Sequence, residues 1–407
     1  YYIFSFPETE GVKSLTLALG EKTGGPRVSI SEIAFYESDT LSEDIAALFT
    51  DGTFTALKSS VQQADITALK DRLSALGSFY LDLARLQDEL NLAQALLDKN
   101  DSALGVVKQD FQSRSTAADQ AFGQSASDLQ PLGVTARAGS TVAIYAELPD
   151  DAAVYVVPTQ FYGESGVWKG TPVALKNGRN YITVEKIGSL TDTRGGVLYL
   201  TYSGSHPQQI KLQVRGDSNV YAMPVLELSG WYTMSESARK DAIRTYVQDL
   251  EVYVSGLSGA KLTTDNRNAT EISTPSVLLS LPADQALSGL KGVGNDEDAM
   301  VEAMYQNVLA WEEELFIANK VQGIIHSDAA LSDYTYPMTT RQNIRYMRMF
   351  AGAFMYAAGN HVGVEYGSTT ALVQGKPTSA TGAGQANGLF GWGIAHEIGH
   401  NMDKLGK

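Results

Sequence analysis

The sequence predicts an α+β chain of several domains, and three observations predict it. Short runs in which apolar and polar residues alternate fill 132–228. Apolar residues stepping by three and four mark helices on either side of that stretch. The length, 407 residues, exceeds what one hydrophobic core usually serves. A β-sandwich followed by a helix-rich domain is therefore expected, preceded by a helical hairpin and a β-type N-terminal segment.

Residues 1–41 carry the runs YYIFSF, SLTLAL and ISEIAFYE, broken by Gly and Pro and too short to close a sandwich alone. The ending SISEIAFYE resembles the last strand of discoidin-like carbohydrate-binding sandwiches, so this segment reads as the C-terminal part of one. The N-terminus begins like the middle of a strand, and the chain is read as a piece of a longer protein. In 42–131, Leu69, Leu73, Leu76, Tyr80, Leu83, Leu86 and Leu90 form one apolar stripe. This predicts a helical hairpin with its break at Asn100-Asp101 and a Ser/Ala/Gln-rich connector up to Pro131.

From 132 to 228 the runs TVAIYAEL, AVYVVPTQF, NYITVEKI, GVLYLTYS and QQIKLQVRG are separated by Asp-Asp, Asn-Gly and Gly-Gly turns. They predict a sandwich of about seven strands. The joint MPVLELSGW is short and apolar, which predicts that the sandwich and the helix-rich domain form one rigid unit. In 229–407, helices are expected over ARKDAIRTYVQDLEVYVSGL, DEDAMVEAMYQNVLAWEEELFIANKV and RQNIRYMRMFAGAFMYAAG.

Composition excludes several classes. Asp and Glu outnumber Lys and Arg by 46 to 31, for a net charge of −15, and no Lys/Arg run of five occurs. A nucleic-acid or anionic-membrane surface is therefore not expected. With 0 cysteines, any metal must be held by His, Asp or Glu. No apolar run reaches the ~18 residues that a membrane span needs.

The segment Trp392 to Asp403 reads WGIAHEIGHNMD. His396 and His400, four apart, project from one face of a helix and can bind one Zn2+ through neutral nitrogens. Glu397, one position on, falls beside the metal, where it can take a proton from an activated water. Ile394 and Ile398 supply an apolar back face, Gly391 and Gly393 permit a tight turn into the helix around Trp392, and Gly399 leaves room between the ligands. A catalytic zinc keeps three protein ligands, and this segment supplies two. Asp403 shares their face as a third ligand, as a supporting group that orients a histidine through its other nitrogen, or as a residue simply exposed near the helix C-terminus.

GLFGWGIAHEIGHNMD resembles the zinc helix of enhancin and enhancin-like metallopeptidases, secreted enzymes that attack mucins and other O-glycosylated proteins. The likeness extends through YPMTTRQNIRYMRMFAGAFMYAAGNHVGVEYGS, and GVTARAGSTVAIYAE and RGGVLYLTYSG resemble the domain placed before the family's catalytic part. The resemblance implies a zincin-like peptidase domain over 229–407, with His396 and His400 as zinc ligands and Glu397 as general base. Its third ligand would be a Glu beyond Lys407. It also implies a mucin or other O-glycosylated substrate, glycan contacts, and an extracellular or bacterial cell-surface location. A glycan-binding or adhesive module that has lost activity, and a zinc peptidase acting on unmodified peptides, are the competing readings.

Elsewhere, His361 sits on a β-type run after a long expected helix and is either a structural histidine, the commoner case, or a candidate for the cleft edge, as is Trp392. Glu365 is a candidate alternative metal ligand. His326 is expected exposed near a helix end, and His206, before Pro207, has no partner in sequence. Residues 378–393, Gly-rich and without a phosphate-loop pattern, read as a flexible loop beside the site.

Overall fold

The computed structural model describes residue 16 and residues 39–402, apart from 77–79, 81, 117–125, 152, 161–167, 188–194, 258–262, 264, 348–353, 359 and 379–388. The discoidin-like segment before residue 39, Asp403 and most of the Gly-rich loop lie outside the described residues.

Helices α1 (Leu41–Ala46), α2 (Gln63–Ala75) and α3 (Leu83–Leu97) pack through Ile66, Leu69, Leu73, Leu86 and Leu90, all buried, as the leucine stripe requires. At the start of α2 the Gln62 amide donates to Asp65 at 2.8 Å. The expected break at Asn100-Asp101 is displaced. α2 stops at Leu76, whose backbone is extended, just before Gly77, a residue type that costs a helix interior about 1 kcal/mol.

Among the described residues nine strands build the sandwich: β1 (Val106–Lys108), β2 (Gln130–Ala136), β3 (Thr141–Glu147), β4 (Val154–Pro158), β5 (Val173–Ala174), β6 (Gly178–Thr183), β7 (Gly196–Tyr202), β8 (Lys211–Gly216) and β9 (Val220–Ala222). One sheet has the order β1-β8-β3-β6, the other β5-β4-β7-β2-β9. β1 comes from the stretch read as a connector and pairs antiparallel with β8. Ile144, Val156, Leu198, Leu200, Leu212 and Val214 fill the space between the sheets.

A further, mixed sheet carries the C-terminal half: β10 (Val225–Glu227), β11 (Thr270–Ser273), β12 (Val277–Leu281), β13 (Gln342–Tyr346), β14 (Met355–Ala357) and β15 (Val362–Val364), in the order β10-β11-β12-β13-β15-β14. β10 lies within 132–228 yet pairs in parallel with β11, so the last residues of that stretch belong to this sheet. The stretch RQNIRYMRMFAGAFMYAAG contains β13 and β14 where a helix was expected. All five residues of β13 are buried, Gln342, Asn343 and Arg345 included, so no exposed polar face marks a strand period in the sequence. Helices α4 (Glu236–Gly256), α5 (Ala283–Lys291) and α6 (Glu297–Val321) cover one face of the sheet, and Trp311 of α6 donates from Nε1 to the Leu372 carbonyl at 3.1 Å.

The layers therefore run helices, sheet, sheet, sheet, helices. α1–α3 sit on the outer face of the four-stranded sheet through Ala143 and Tyr145. The five-stranded sheet packs on the mixed sheet through a shared core of Leu129, Val157, Trp168 and Tyr199 with Leu278 and Tyr346.

Candidate metal centre

The motif occupies α7 (Ala395–Met402), which is reached through a π-helical turn over Leu389–Ile394. Such wide turns are uncommon and occur often at functional sites. Ile394, Ile398 and Met402 repeat every four residues, are at most 1% exposed, and enter the core shared with Met355, Val362 and Val364. That packing turns the opposite face outward. Trp392, His396 and His400 are exposed there, with the Trp392 ring stacked on that of His396 at 5.6 Å between centroids and 21° between planes. Among the described residues nothing lies within 4 Å of where a Cβ on Gly399 would sit.

The two imidazoles stand nearly perpendicular, their Nε2 atoms 3.1 Å apart. Two nitrogens at that separation can both lie about 2.0–2.1 Å from one zinc ion, the usual Zn–N length. The residues present therefore fit the metal as a two-histidine half-shell. Among the described residues no cluster of three His, Asp or Glu forms. Glu365 is not grouped with the histidines: its carboxylate accepts from the Gly367 amide at 3.0 Å and the Ser368 hydroxyl at 2.6 Å. Asp403 lies outside the described residues.

His361 is placed differently from its expected position at a cleft edge. It is 1% exposed, with its ring against Trp168 of the sandwich and hydrogen-bonded to Tyr356 and Asn360. Burial, with the nearby positive charges of Arg345 and Lys169, holds its pKa down at about 3. His326 is exposed near the end of α6, as expected, and accepts from the Asp328 amide at 3.3 Å. His206 has gained a partner, Asp151, at 3.0 Å in the sandwich.

Sequence reasoning missed Asn401. It lies three residues after Ile398 on the buried back face, 1% exposed, and donates from Nδ2 to the His361 carbonyl at 3.3 Å. The available signal was a polar residue in an apolar stripe, since buried amides are hydrogen-bonded.

No protein-family model matches this sequence, and no curated protein matches it. Solved structures do match. The CBM32-1, CBM32-2 and M60 catalytic domains of ZmpB from Clostridium perfringens align at TM-score 0.62 and 22% identity, over 91% of this chain and 35% of that one. A metallopeptidase from Bacteroides thetaiotaomicron aligns at TM-score 0.58 and 14% identity, over 92% of this chain and 53% of that one. The M60 catalytic domain of ZmpC from Clostridium perfringens, in complex with the sialyl T antigen, aligns at TM-score 0.53 and 19% identity, over 74% and 53%. The chain thus spans between 35% and 53% of the length of these three structures. At such identities the likeness is one of fold: this chain has the α+β, multidomain architecture found in structures of M60 metallopeptidase catalytic domains.

Proposed function

We propose that this chain is part of a zinc-dependent endopeptidase that hydrolyses peptide bonds in mucin-type, O-glycosylated proteins outside the cell or at a bacterial surface. The observation that carries it is the convergence of His396 Nε2 and His400 Nε2 to 3.1 Å on the exposed face of α7, with Glu397 between them in sequence. His396 and His400 would hold the zinc, which when bound supplies Lewis acidity toward the scissile carbonyl. Glu397, half-buried beside them, accepts a proton from the attacking water and returns it to the departing amine nitrogen. The water oxygen ends in the new carboxylate, and no covalent link to the protein forms. The exposed Trp392 ring stacked on His396 offers an apolar surface for substrate at the edge of the site.

The glycoprotein substrate is supported by the enhancin-like resemblance and by the sialyl T antigen in one neighbour of similar fold. No described helix is long and apolar enough to cross a membrane.

The test is Glu397→Gln in the full-length protein, with zinc content and cleavage of a mucin-type substrate both measured. Zinc should stay near the wild-type level while turnover falls at least ~10²-fold, because an amide cannot accept the proton. Undiminished turnover would remove Glu397 from this role. Equal cleavage of the substrate stripped of its glycans would keep the peptidase and remove the glycan requirement. A wild-type protein that holds zinc and cleaves neither form would favour a glycan-binding module.

A further inference from the structure

α7 is eight residues long, too short to owe its position to its own hydrogen bonds. Its apolar back face sets its depth against the sheet, but apolar contact is non-directional and leaves rotation and axial sliding poorly fixed. The hydrogen bond from Asn401 is directional, and Asn401 is the residue next to His400. Its acceptor, the His361 carbonyl, also takes the Ala358 amide at 3.0 Å and so is fixed in the turn between β14 and β15.

The His361 side chain is held as firmly. Nδ1 lies 2.8 Å from Asn360 Oδ1, an acceptor only, so Nδ1 carries the proton and Nε2 accepts from the Tyr356 hydroxyl at 3.0 Å. The ring meets the Trp168 indole at 5.0 Å between centroids and 60° between planes. Trp168 comes from the sandwich, is 4% exposed, and has the Arg345 guanidinium of β13 over its ring at 4.1 Å.

We propose that Trp168, His361 and Asn401 are positioning residues through which the sandwich fixes the rotation of α7, and with it the direction in which His396 and His400 face. The sandwich is then part of the catalytic apparatus although no residue of it has been assigned to the site. The inference rests on the metal centre proposed above.

The experiment compares Asn401→Ala, Trp168→Leu and Trp168→Phe with wild type in the full-length protein. The readouts are zinc affinity by chelator competition, the visible spectrum of the Co2+-substituted protein, melting of the metal-free protein, and kcat and KM taken separately. Asn401→Ala should lose about 10–100-fold in zinc affinity, the range typical when groups supporting metal ligands are removed. Its Co2+ spectrum should change and kcat fall with KM unchanged, while the metal-free melt stays close to wild type. Trp168→Leu should shift the spectrum in the same direction, and Trp168→Phe, which keeps a ring against His361, should restore it. Wild-type zinc affinity and an unaltered Co2+ spectrum in Asn401→Ala would overturn the relay while leaving the metal centre standing. A wild-type protein whose zinc binding does not depend on His396 and His400 would overturn both.

Discussion

The sandwich makes two junctions, one on each outer face, and each is built around a fully buried glutamate. Toward the helical hairpin, Glu89 of α3 receives Arg179 of β6 at 2.6 Å, Arg85 at 3.4 Å and the Tyr181 hydroxyl at 2.9 Å. Arg179 also reaches the Ser42 hydroxyl and carbonyl on α1, at 2.9 and 2.8 Å. Toward the mixed sheet, Glu271 of β11 receives, among the described residues, only hydroxyls, from Tyr199 of β7 at 2.6 Å and Ser280 of β12 at 2.9 Å. The arginines of that junction are engaged elsewhere. Arg341 donates to the Ser273 hydroxyl and to the Leu129 carbonyl, the latter at 2.9 Å. The Arg345 guanidinium lies over Trp168 and makes no hydrogen bond among the described residues. Burial accordingly pushes the Glu271 carboxyl up to about 7, against the pull of Tyr199 and the arginines. The difference teaches that a buried carboxylate paired with guanidinium locks a junction, whereas one held by hydroxyls leaves it sensitive to pH.

The largest effect should come from breaking the first junction. Arg179→Ala leaves Glu89 buried without its closest cation and should destabilise the protein by about 3–5 kcal/mol, the usual result of removing one partner of a buried pair. Denaturant unfolding measures it, and a loss under ~1 kcal/mol would mean that Arg85 and the tyrosines suffice, making the two junctions alike.

The second prediction sharpens the contrast through pH. The folded-state pKa of Glu271 lies above the ~4.3 of an unfolded Glu, so the folded protein keeps a proton that the unfolded chain releases. The stabilisation is fully present below about pH 4 and disappears as pH rises through 7. It amounts to roughly 4 kcal/mol in all, at 1.4 kcal/mol per pH unit. Glu271→Gln should flatten this part of the stability–pH curve, and an unchanged slope would show that Glu271 is ionised throughout. The smallest effect is Tyr199→Phe, which removes the hydroxyl that bonds Glu271 and the Ser280 hydroxyl across the second junction. It should cost about 1–3 kcal/mol and move the downward step in stability to higher pH, since a hydroxyl donor favours the charged carboxylate.

The same contrast explains what could be read in advance. β3 was legible because it alternates: Val142, Ile144 and Ala146 point into the inter-sheet core while Thr141, Ala143 and Tyr145 point away. The mixed sheet was not, because both its faces are buried. β12 sends Val277, Leu279 and Leu281 toward the helices and Leu278 with Ser280 toward the sandwich, so no polar face marks its period. Asn343 and Arg345 look like surface residues in sequence and are 0% exposed.

Sequence alone determined the pairing of His396 with His400, with Glu397 between them, because one turn of one helix brings side chains four apart together whatever surrounds it. It also determined the buried back of that helix, through Ile394 and Ile398. Tertiary structure decided which way the face looks and what holds it there. Asn401 finds its acceptor forty residues upstream in the chain, and His361 finds Trp168 in the sandwich. Neither pairing leaves a local period, because a contact between residues far apart in sequence exists only once the layers between them have packed.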